Sequence, residues 1–222
     1  MPPEKLPIVV LISGSGSNLQ AIIDAAEHGE LPVEIHAVIS NRPGVQGLAR
    51  AEAAGIPTEV LDHKAFASRA DYDRALMALI DRFEPALVVL AGFMRLLTDA
   101  FTAHYAGHML NIHPSLLPDY KGLHTHRRAV EDGANEHGAS VHFVTAELDG
   151  GPVIAQAHVP VHPGDTPEQL AARVLEQEHR LYPEIIRWFA EGRLRLGQDG
   201  RAWLDGKPLD APVTLGDKPQ EP

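Results

Sequence analysis

The sequence predicts an α/β fold of the Rossmann-like class, in which helices cover both faces of a mostly parallel, twisted sheet. Two apolar runs, IVVLIS (8–13) and ALVVLAG (86–92), have the continuous hydrophobic character of strands that are buried on both faces. Helix-like segments separate these and further strand-like runs, as in βαβ units. After Gly138, two strand-like runs flank a short turn, which predicts that antiparallel strands extend the sheet in the C-terminal half.

The N-terminal half alternates strictly between the two kinds of segment. After the first strand, Ser17 to Gln20 matches the capping box S-x-x-Q, and hydrophobic residues then recur at helical spacing as far as Gly29. The segments that follow are strand VEIHAVIS (33–40), helix VQGLARAEAAG (45–55), strand TEVLD (58–62), helix ADYDRALMALIDRF (70–83), strand 86–92, a helix from Thr98 to Ala106, and strand HMLNIH (108–113).

The C-terminal half contains longer and less regular elements. The segment 139–161 holds the two predicted antiparallel strands. A long helix from about Thr166 to Gly192 contains Pro183, which is expected to kink or divide it. The segment 192–206 predicts a terminal hairpin. We expect a single domain of residues 1–210, with halves of about 1–107 and 108–210, followed by a flexible tail at 211–222.

The composition excludes several classes of function. The chain has 222 residues, of which 44% are hydrophobic and 22% are charged, as in ordinary globular domains. A formal net charge of −11 argues against general nucleic-acid binding and against an anionic membrane surface. The lack of cysteine excludes disulfides, thiolate zinc sites and a cysteine nucleophile. Because no run approaches a secretion signal or a membrane span, we expect a cytoplasmic protein.

A glycine-rich segment, SGSGSN (13–18), lies between the first strand and the first helix. Glycines let the backbone approach an anion closely, and the helix N-terminus offers free N–H groups and a positive dipole end. Leu19 occupies the third glycine position of the dinucleotide fingerprint, and no P-loop lysine follows. The segment therefore fits a single phosphate better than a dinucleotide, and the alternative is a tight turn without a ligand.

The segment LNIHPSLLPDYKG (110–122) places an amide and an imidazole at the end of a strand. Asn111 and His113 lie two residues apart, so an extended chain presents both on one face. Pro114 ends the strand immediately afterwards. Hydrogen-bond donors at this edge suit the oxyanion that develops in acyl transfer. The alternative is a buried pair whose hydrogen bonds are satisfied by the backbone.

Asp149, in the turn ELDGG (147–151), is a third candidate. A turn Asp often caps its own turn. A carboxylate beside His113 would instead favour the charged imidazole and keep it a competent acid near neutral pH. Of the 13 histidines, His124 and His126 could bind a metal, although no His-Glu-x-x-His pattern is present. Arg127 and Arg128 are expected to reach an anion or solvent.

Five segments together resemble one enzyme family. They are ISGSGSNLQAII, AGFMRLL, LNIHPSLLP, GLHTHRRAVEDG and SVHFVTAELDGGPVIAQ. They are similar to the phosphoribosylglycinamide formyltransferases, or glycinamide ribonucleotide transformylases, of the folate-dependent formyltransferase superfamily. The resemblance extends from about Ile8 to about Leu204 and implies the formyltransferase fold. HPSLLP is shared across the superfamily, whereas SGSGSNLQ is specific to the ribonucleotide enzymes.

The resemblance implies transfer of the formyl group of 10-formyltetrahydrofolate, a co-substrate, to the amine of glycinamide ribonucleotide. The products would be formylglycinamide ribonucleotide and tetrahydrofolate, in purine biosynthesis. Catalysis would fall to Asn111, His113 and Asp149, with Asp149 holding His113 protonated and oriented. The residues implied for the ribonucleotide are Gly16, Ser17, Asn18, Leu19, Gln20 and, at its amine end, Glu178. Those implied for the folate are Arg69, Met94, Arg95, Leu96, Leu97 and Asn111.

The resemblance implies small-molecule substrates, no metal, no nucleic acid, no membrane, and a monomer or weak homodimer. Lys121 and Ala139 depart from the usual Pro and Thr, and neither removes a catalytic group. A methionyl-tRNA formyltransferase is disfavoured, because it would need a further nucleic-acid-binding domain and a basic surface, whereas this chain has 222 residues and a net charge of −11. Three rival functions are a formyltetrahydrofolate hydrolase, a nucleotide-binding sensor on the same fold and a metal-dependent hydrolase.

Overall fold

A computed structural model describes residues 5–215. The main sheet contains β1 (Leu6–Ile12), β2 (Val33–Ser40), β3 (Thr58–Val60), β4 (Leu87–Leu90), β5 (Met109–His113), β6 (Glu136–Phe143), β7 (Val153–Pro160) and β11 (Val213–Leu215). A small second sheet contains β8 (Leu194–Leu196), β9 (Ala202–Leu204) and β10 (Lys207–Pro208). The helices are α1 (Ser17–Glu27), α2 (Gln46–Ala53), α3 (Arg69–Asp81), α4 (Asp99–His104), α5 (Thr125–Glu131) and α6 (Pro167–Ala190), with a 3₁₀ turn at His63–Ala65.

The strand order of the main sheet is β11-β7-β6-β5-β4-β1-β2-β3. Strands β1 to β5 are parallel, β6 is antiparallel to both of its neighbours, and β11 is parallel to β7. The predicted parallel sheet with an antiparallel extension is confirmed. After β1, the chain forms β2 and β3 on one side of β1 and later forms β4 and β5 on its other side. In such sheets, ligands usually bind in the crevice at the carboxyl ends of the strands, at the point where the strand order reverses.

Alternate residues of β1 enter two separate hydrophobic clusters, as expected for a strand covered on both faces. Ile8, Val10 and Ile12 pack with residues from α1, α2, α5 and α6. Val9 and Leu11 pack with residues from α3 and α4 on the opposite face. All five side chains are fully buried. This burial explains why the run shows no polar alternation.

Helix α6 is not divided at Pro183, contrary to one of the two predicted outcomes. It begins with the capping box formed by Thr166 and Gln169 and continues to Ala190. Proline removes one backbone donor from the helix, but buried side chains on both sides of it, including Leu181 and Ile185, anchor the two halves in the core.

The predicted capping box at Ser17 is wrong. The N-cap of α1 is Gly16, which adopts a left-handed conformation with φ of 68° and offers no side-chain cap. A Cβ at Gly16 would come within 2.6 Å of the Gly47 Cα, so close packing against α2 requires glycine there. Among residues 5–215, none of the helices has the length and apolar character needed to cross a membrane.

The expected flexible tail at 211–222 needs correction in its first part. Val213–Leu215 forms β11, whose backbone pairs with residues 155–157 of β7 and satisfies the outer edge of that strand. The remainder of the tail, 216–222, lies outside the described residues. Helix α5 was not predicted, because its short segment lacks a hydrophobic repeat long enough to show a helical period.

Candidate active site

His113 is the last residue of β5 and is only 7% exposed. Its Nε2 lies 3.0 Å from the carbonyl oxygen of Tyr120. Because a carbonyl can only accept, Nε2 carries a hydrogen and donates it. Its Nδ1 lies 3.6 Å from Oδ2 of Asp149, which is too long for a hydrogen bond but close enough for a strong charge interaction. Nδ1 is therefore the ring nitrogen that remains free to meet a third group.

Asp149 is directed away from its own turn. Its backbone has φ of 49°, and its Oδ2 accepts a hydrogen bond of 2.9 Å from the Gly122 N–H. The carboxylate is almost fully buried. A Cβ at Gly151 would collide with the backbone carbonyl of Phe143, so the turn folds this tightly only with glycine there. The structure thus brings the carboxylate to His113, a position that capping of its own turn would not require.

Asn111 is oriented by a histidine that the sequence patterns did not single out. The two residues lie directly opposite each other on β5 and β6, and Asn111 Nδ2 is 3.1 Å from Nε2 of His142. The Nδ1 of His142 donates to the Phe143 carbonyl at 2.9 Å, and burial lowers the pKa of His142 to about 4. The ring is therefore neutral, with Nε2 as an acceptor for the Asn111 amide. The signal that could reveal this pair is the strand register, which one sequence does not fix.

Asn111, His142 and Asp149 line one cleft, with a volume of about 110 Å³. The other walls include Phe93, residues 95–97 and residues 144–148. Large apolar side chains stand exposed around it: Met94 is 67% exposed, Leu96 55% and Leu148 53%. Polar donors at one end and apolar surface at the rim suit a ligand that is mostly flat and apolar with a reactive polar group.

The glycine-rich segment lies at the carboxyl end of the neighbouring strand β1, where α1 begins. The first-turn N–H groups of α1 have no intrahelical partners and can meet an anion. Asn18 is buried, and its Nδ2 donates to Oε2 of Glu178 on α6 at 2.6 Å. Burial raises the pKa of the Glu178 carboxyl. Arg50 of α2 donates to the Ser15 carbonyl at 2.8 Å and to Gln20 at 3.2 Å, and so braces the segment.

A family model described as formyl transferase matches residues 6–186.

The chain belongs to the formyl transferase family.

Two bacterial relatives and one solved structure are similar to the chain over nearly their whole length. The chain is 59% identical over 202 residues to the phosphoribosylglycinamide formyltransferase of Escherichia coli (strain K12), covering 91% of this chain and 95% of that one. It is 52% identical to the enzyme of the same name from Haemophilus influenzae, with the same coverage. The solved phosphoribosylglycinamide formyltransferase of Coxiella burnetii superposes with a TM-score of 0.92 at 54% identity, covering 96% of this chain and all of that one.

Two folate candidates of this formyl transferase lie apart from the cleft lining. Arg69 begins α3 and is exposed, and Met94 stands exposed at the rim. Neither is among the residues that line the cleft, whereas Arg95, Leu96 and Leu97 are. The guanidinium of Arg95 also lies 5.3 Å above the Tyr72 ring.

Two residues of LHTHRR, His126 and Arg128, make structural contacts in this formyl transferase. His126 packs edge-on against His137, with ring centroids 5.3 Å apart, and burial lowers the pKa of both. Arg127 and Arg128 are both exposed, as expected, and Arg128 also donates to the Lys121 carbonyl at 2.7 Å. Within residues 5–215, no three His, Asp or Glu side chains are arranged to hold a metal ion.

Proposed function

We propose that this formyl transferase moves the formyl group of 10-formyltetrahydrofolate to the amine of glycinamide ribonucleotide, in purine biosynthesis. The observation that best supports the proposal is that two candidate sites lie at the same, carboxyl edge of the sheet. A helix N-terminus suited to phosphate follows β1. Two strands away, Asn111 and His113 lie at the end of β5, beside Asp149 of the turn between β6 and β7. The names of the relatives agree with this activity.

The ribonucleotide phosphate is assigned to the N-terminus of α1, at Gly16, Ser17, Asn18, Leu19 and Gln20. The backbone approach that Gly16 permits and the dipole of α1 both favour a phosphate there. Glu178 lies next to Asn18 at 2.6 Å, in a position to meet the amine end of the same ligand. A buried carboxyl with a raised pKa is suited to accept a proton from an ammonium group.

The formyl donor is assigned to the cleft beside Asn111. The exposed Met94, Leu96 and Leu148 side chains would lose water contact against its ring system, which favours binding. Leu97, Arg95 and Arg69 complete the assigned contacts. Because residues 93–97 belong to the first half of the chain, both halves of the proposed 1–210 domain contribute to this site.

Attack of the amine on the formyl carbon develops negative charge on the formyl oxygen. Asn111 has one amide hydrogen directed to His142, which fixes the second amide hydrogen as a donor for that oxygen. His113 offers its Nδ1–H, because its Nε2–H is already held by Tyr120. The carboxylate of Asp149 lies 3.6 Å from Nδ1 and attracts a positive charge on the ring when the oxyanion forms. Such preorganised donors are typically worth ~10²–10³-fold in rate each.

The deciding experiment is to mix the purified protein with 10-formyltetrahydrofolate and follow the absorbance change of the folate product with and without glycinamide ribonucleotide. We expect turnover only when the ribonucleotide is present. Turnover without it would instead identify a hydrolase, and ribonucleotide binding without turnover would identify a sensor. We also propose a cytoplasmic enzyme that is a monomer or weak homodimer, which sedimentation at several concentrations would test.

A further inference from the structure

The segment Gly92–Thr98 forms a wall of the cleft without belonging to any strand or helix. Within residues 5–215, none of its backbone N–H groups donates to a backbone carbonyl. Two of its side chains, Met94 and Leu96, are more than half exposed and add little packing. Phe93 is buried and packs under the segment, in the hydrophobic cluster of α3 and α4. The conformation of Gly92–Thr98 therefore depends on a few specific contacts from elsewhere in the chain.

The first such contact comes from Ser13. The Met94 N–H donates to the Ser13 hydroxyl at 2.8 Å, across 81 residues of sequence. The Ser13 hydroxyl in turn donates to Oδ1 of Asn41 at 2.5 Å, at the end of β2. Ser13 and Asn41 are 3% and 2% exposed, so water does not compete well for these bonds. Because Asn41 takes the hydroxyl hydrogen, the Ser13 oxygen is left to accept from Met94.

The second contact comes from Asp73 of α3. Its Oδ2 accepts from the Thr98 N–H at 2.6 Å, and the residue is 1% exposed. Thr98 is also the N-cap of α4, where its hydroxyl accepts from the Phe101 N–H. The bond thus fixes the point at which the segment ends and α4 begins. Burial of a carboxyl group is costly unless the group accepts hydrogen bonds, so the burial of Asp73 indicates a specific role in fixing this point of the chain.

We propose that Ser13 and Asp73 are positioning residues that hold Gly92–Thr98 in the shape that receives the formyl donor. They anchor the segment near its two ends, and neither is among the residues that line the cleft. Ser13 lies before the residues assigned to the phosphate, and its hydroxyl contacts Met94 and Asn41. This inference rests on the proposed function, because it assigns the segment to the folate side.

Release of either anchor lets the segment sample other conformations. The apparent affinity for the donor then falls by the fraction of molecules that keep the competent shape. Loss of one neutral hydrogen bond corresponds to roughly 3- to 10-fold in an equilibrium constant, and loss of one to a charged group to roughly 10- to 100-fold. Ribonucleotide binding and the chemical step at saturating donor use other residues and should be spared.

The test compares four variants in the full chain. For Ser13→Ala we expect the KM for 10-formyltetrahydrofolate to rise roughly 3- to 10-fold, and for Asp73→Leu roughly 10- to 100-fold. Asp73→Asn keeps an acceptor oxygen for Thr98 and should stay within about threefold of the parent. Ser40→Ala is the matched control, since it removes a buried hydroxyl that bonds only locally to Arg42. In all four, kcat and the ribonucleotide KM should stay within about twofold.

Hydrogen exchange of single amides provides a readout that does not depend on activity. Ser13→Ala should speed exchange at the Met94 amide, Asp73→Leu at the Thr98 amide, and Ser40→Ala at neither. A parent protein without formyl transfer would overturn the proposed function, while the exchange rates would still decide the anchors. Unchanged exchange and unchanged folate KM in Ser13→Ala, or equal rises in both KM values, would overturn the positioning role. Should Asp73→Leu fail to fold, Ser13→Ala decides by the same criteria.

Discussion

Nδ1 of His113 and Oδ2 of Asp149 lie 3.6 Å apart, and each side chain is only 8% exposed. The gap exceeds hydrogen-bond length, so the two groups interact mainly through charge. In an almost dry site this interaction is stronger than in water. The arrangement places a negative charge beside the ring and leaves Nδ1 open to a substrate oxygen.

Replacing Asp149 by Asn removes that charge while nearly conserving shape. We expect kcat to fall by roughly 10²–10³-fold, because the positive charge that His113 carries during oxyanion stabilisation loses its negative neighbour. Both KM values and the melting temperature should change little. Steady-state kinetics and thermal unfolding measure these quantities. A well-folded variant with the parental kcat would contradict the electrostatic role. A lower melting temperature with the parental kcat would make Asp149 a turn residue only.

Removal of the imidazole should affect turnover far more than ribonucleotide binding. For His113→Ala we expect kcat to fall by ~10²–10⁴, the range for general acid–base and oxyanion groups. The ribonucleotide dissociation constant should change little, because the phosphate site lies after β1 and not after β5. Calorimetry and steady-state kinetics give the two quantities. Near-parental turnover in a folded His113→Ala protein would refute its catalytic assignment.

The neutral ring of His142 provides the acceptor for Asn111, which leads to a third prediction. His142→Phe should lower kcat by roughly tenfold or more, since the amide loses the bond that orients it. Both KM values should change less than kcat. His158→Phe is the matched control, because His158 lies on β7 and pairs at the surface with Glu136. Equal losses in the two variants would indicate a general effect on the sheet.

Substitution of Gly16 tests the assignment of the ribonucleotide phosphate to the N-terminus of α1. Alanine there must adopt φ near 68° and place its Cβ within 2.6 Å of Gly47, so α2 or the segment must shift. We expect Gly16→Ala to raise the ribonucleotide KM strongly and to cost about 1–3 kcal/mol of stability, with a smaller change in folate KM. Kinetics and chemical denaturation measure both effects. Gly29→Ala is the control, because its φ is 75° but its Cβ would meet no atom within 4 Å. A larger effect on folate than on ribonucleotide would refute the assignment.

Acid should destabilise the fold through its buried neutral histidines. Burial lowers the pKa of His137 and of His142 to about 4, against 6.5 in the unfolded chain. As the pH falls through this window, the unfolded state takes up protons first, so stability is present above pH 6.5 and declines towards pH 4. At pH 5 each histidine should cost on the order of 2 kcal/mol.

His137→Phe should remove one of these contributions. The difference in unfolding free energy between pH 7.5 and pH 5 should then be smaller in the variant than in the parent. Calorimetry at both pH values measures it. An equal loss in the two proteins would show that His137 is not one of the responsible groups.

Features of the fold that depend on local sequence pattern could be predicted from the sequence alone. The two-sided burial of β1, the parallel order of βαβ units and the break after His113 follow from apolar runs and prolines. The Gly16 cap was missed because it depends on Gly47, which lies 31 positions away on another helix. His142 was missed because its role depends on which residue of β5 it faces. Strand β11 was missed because its stability comes from pairing with β7 and not from its own composition.

The direct pairing of Asn111 with His142 across β5 and β6 makes strand alignment part of the chemistry. Side chains alternate between faces along a strand, so a shift by one residue would present Val141 or Phe143 to Asn111 and turn His142 away. A single inserted residue within β6 would then abolish activity even in a folded protein. Length changes in this region should be tolerated in the hairpin loop, and only where Asp149 still reaches His113. Substitutions at other positions of β6 keep the alignment and should therefore be tolerated better than insertions.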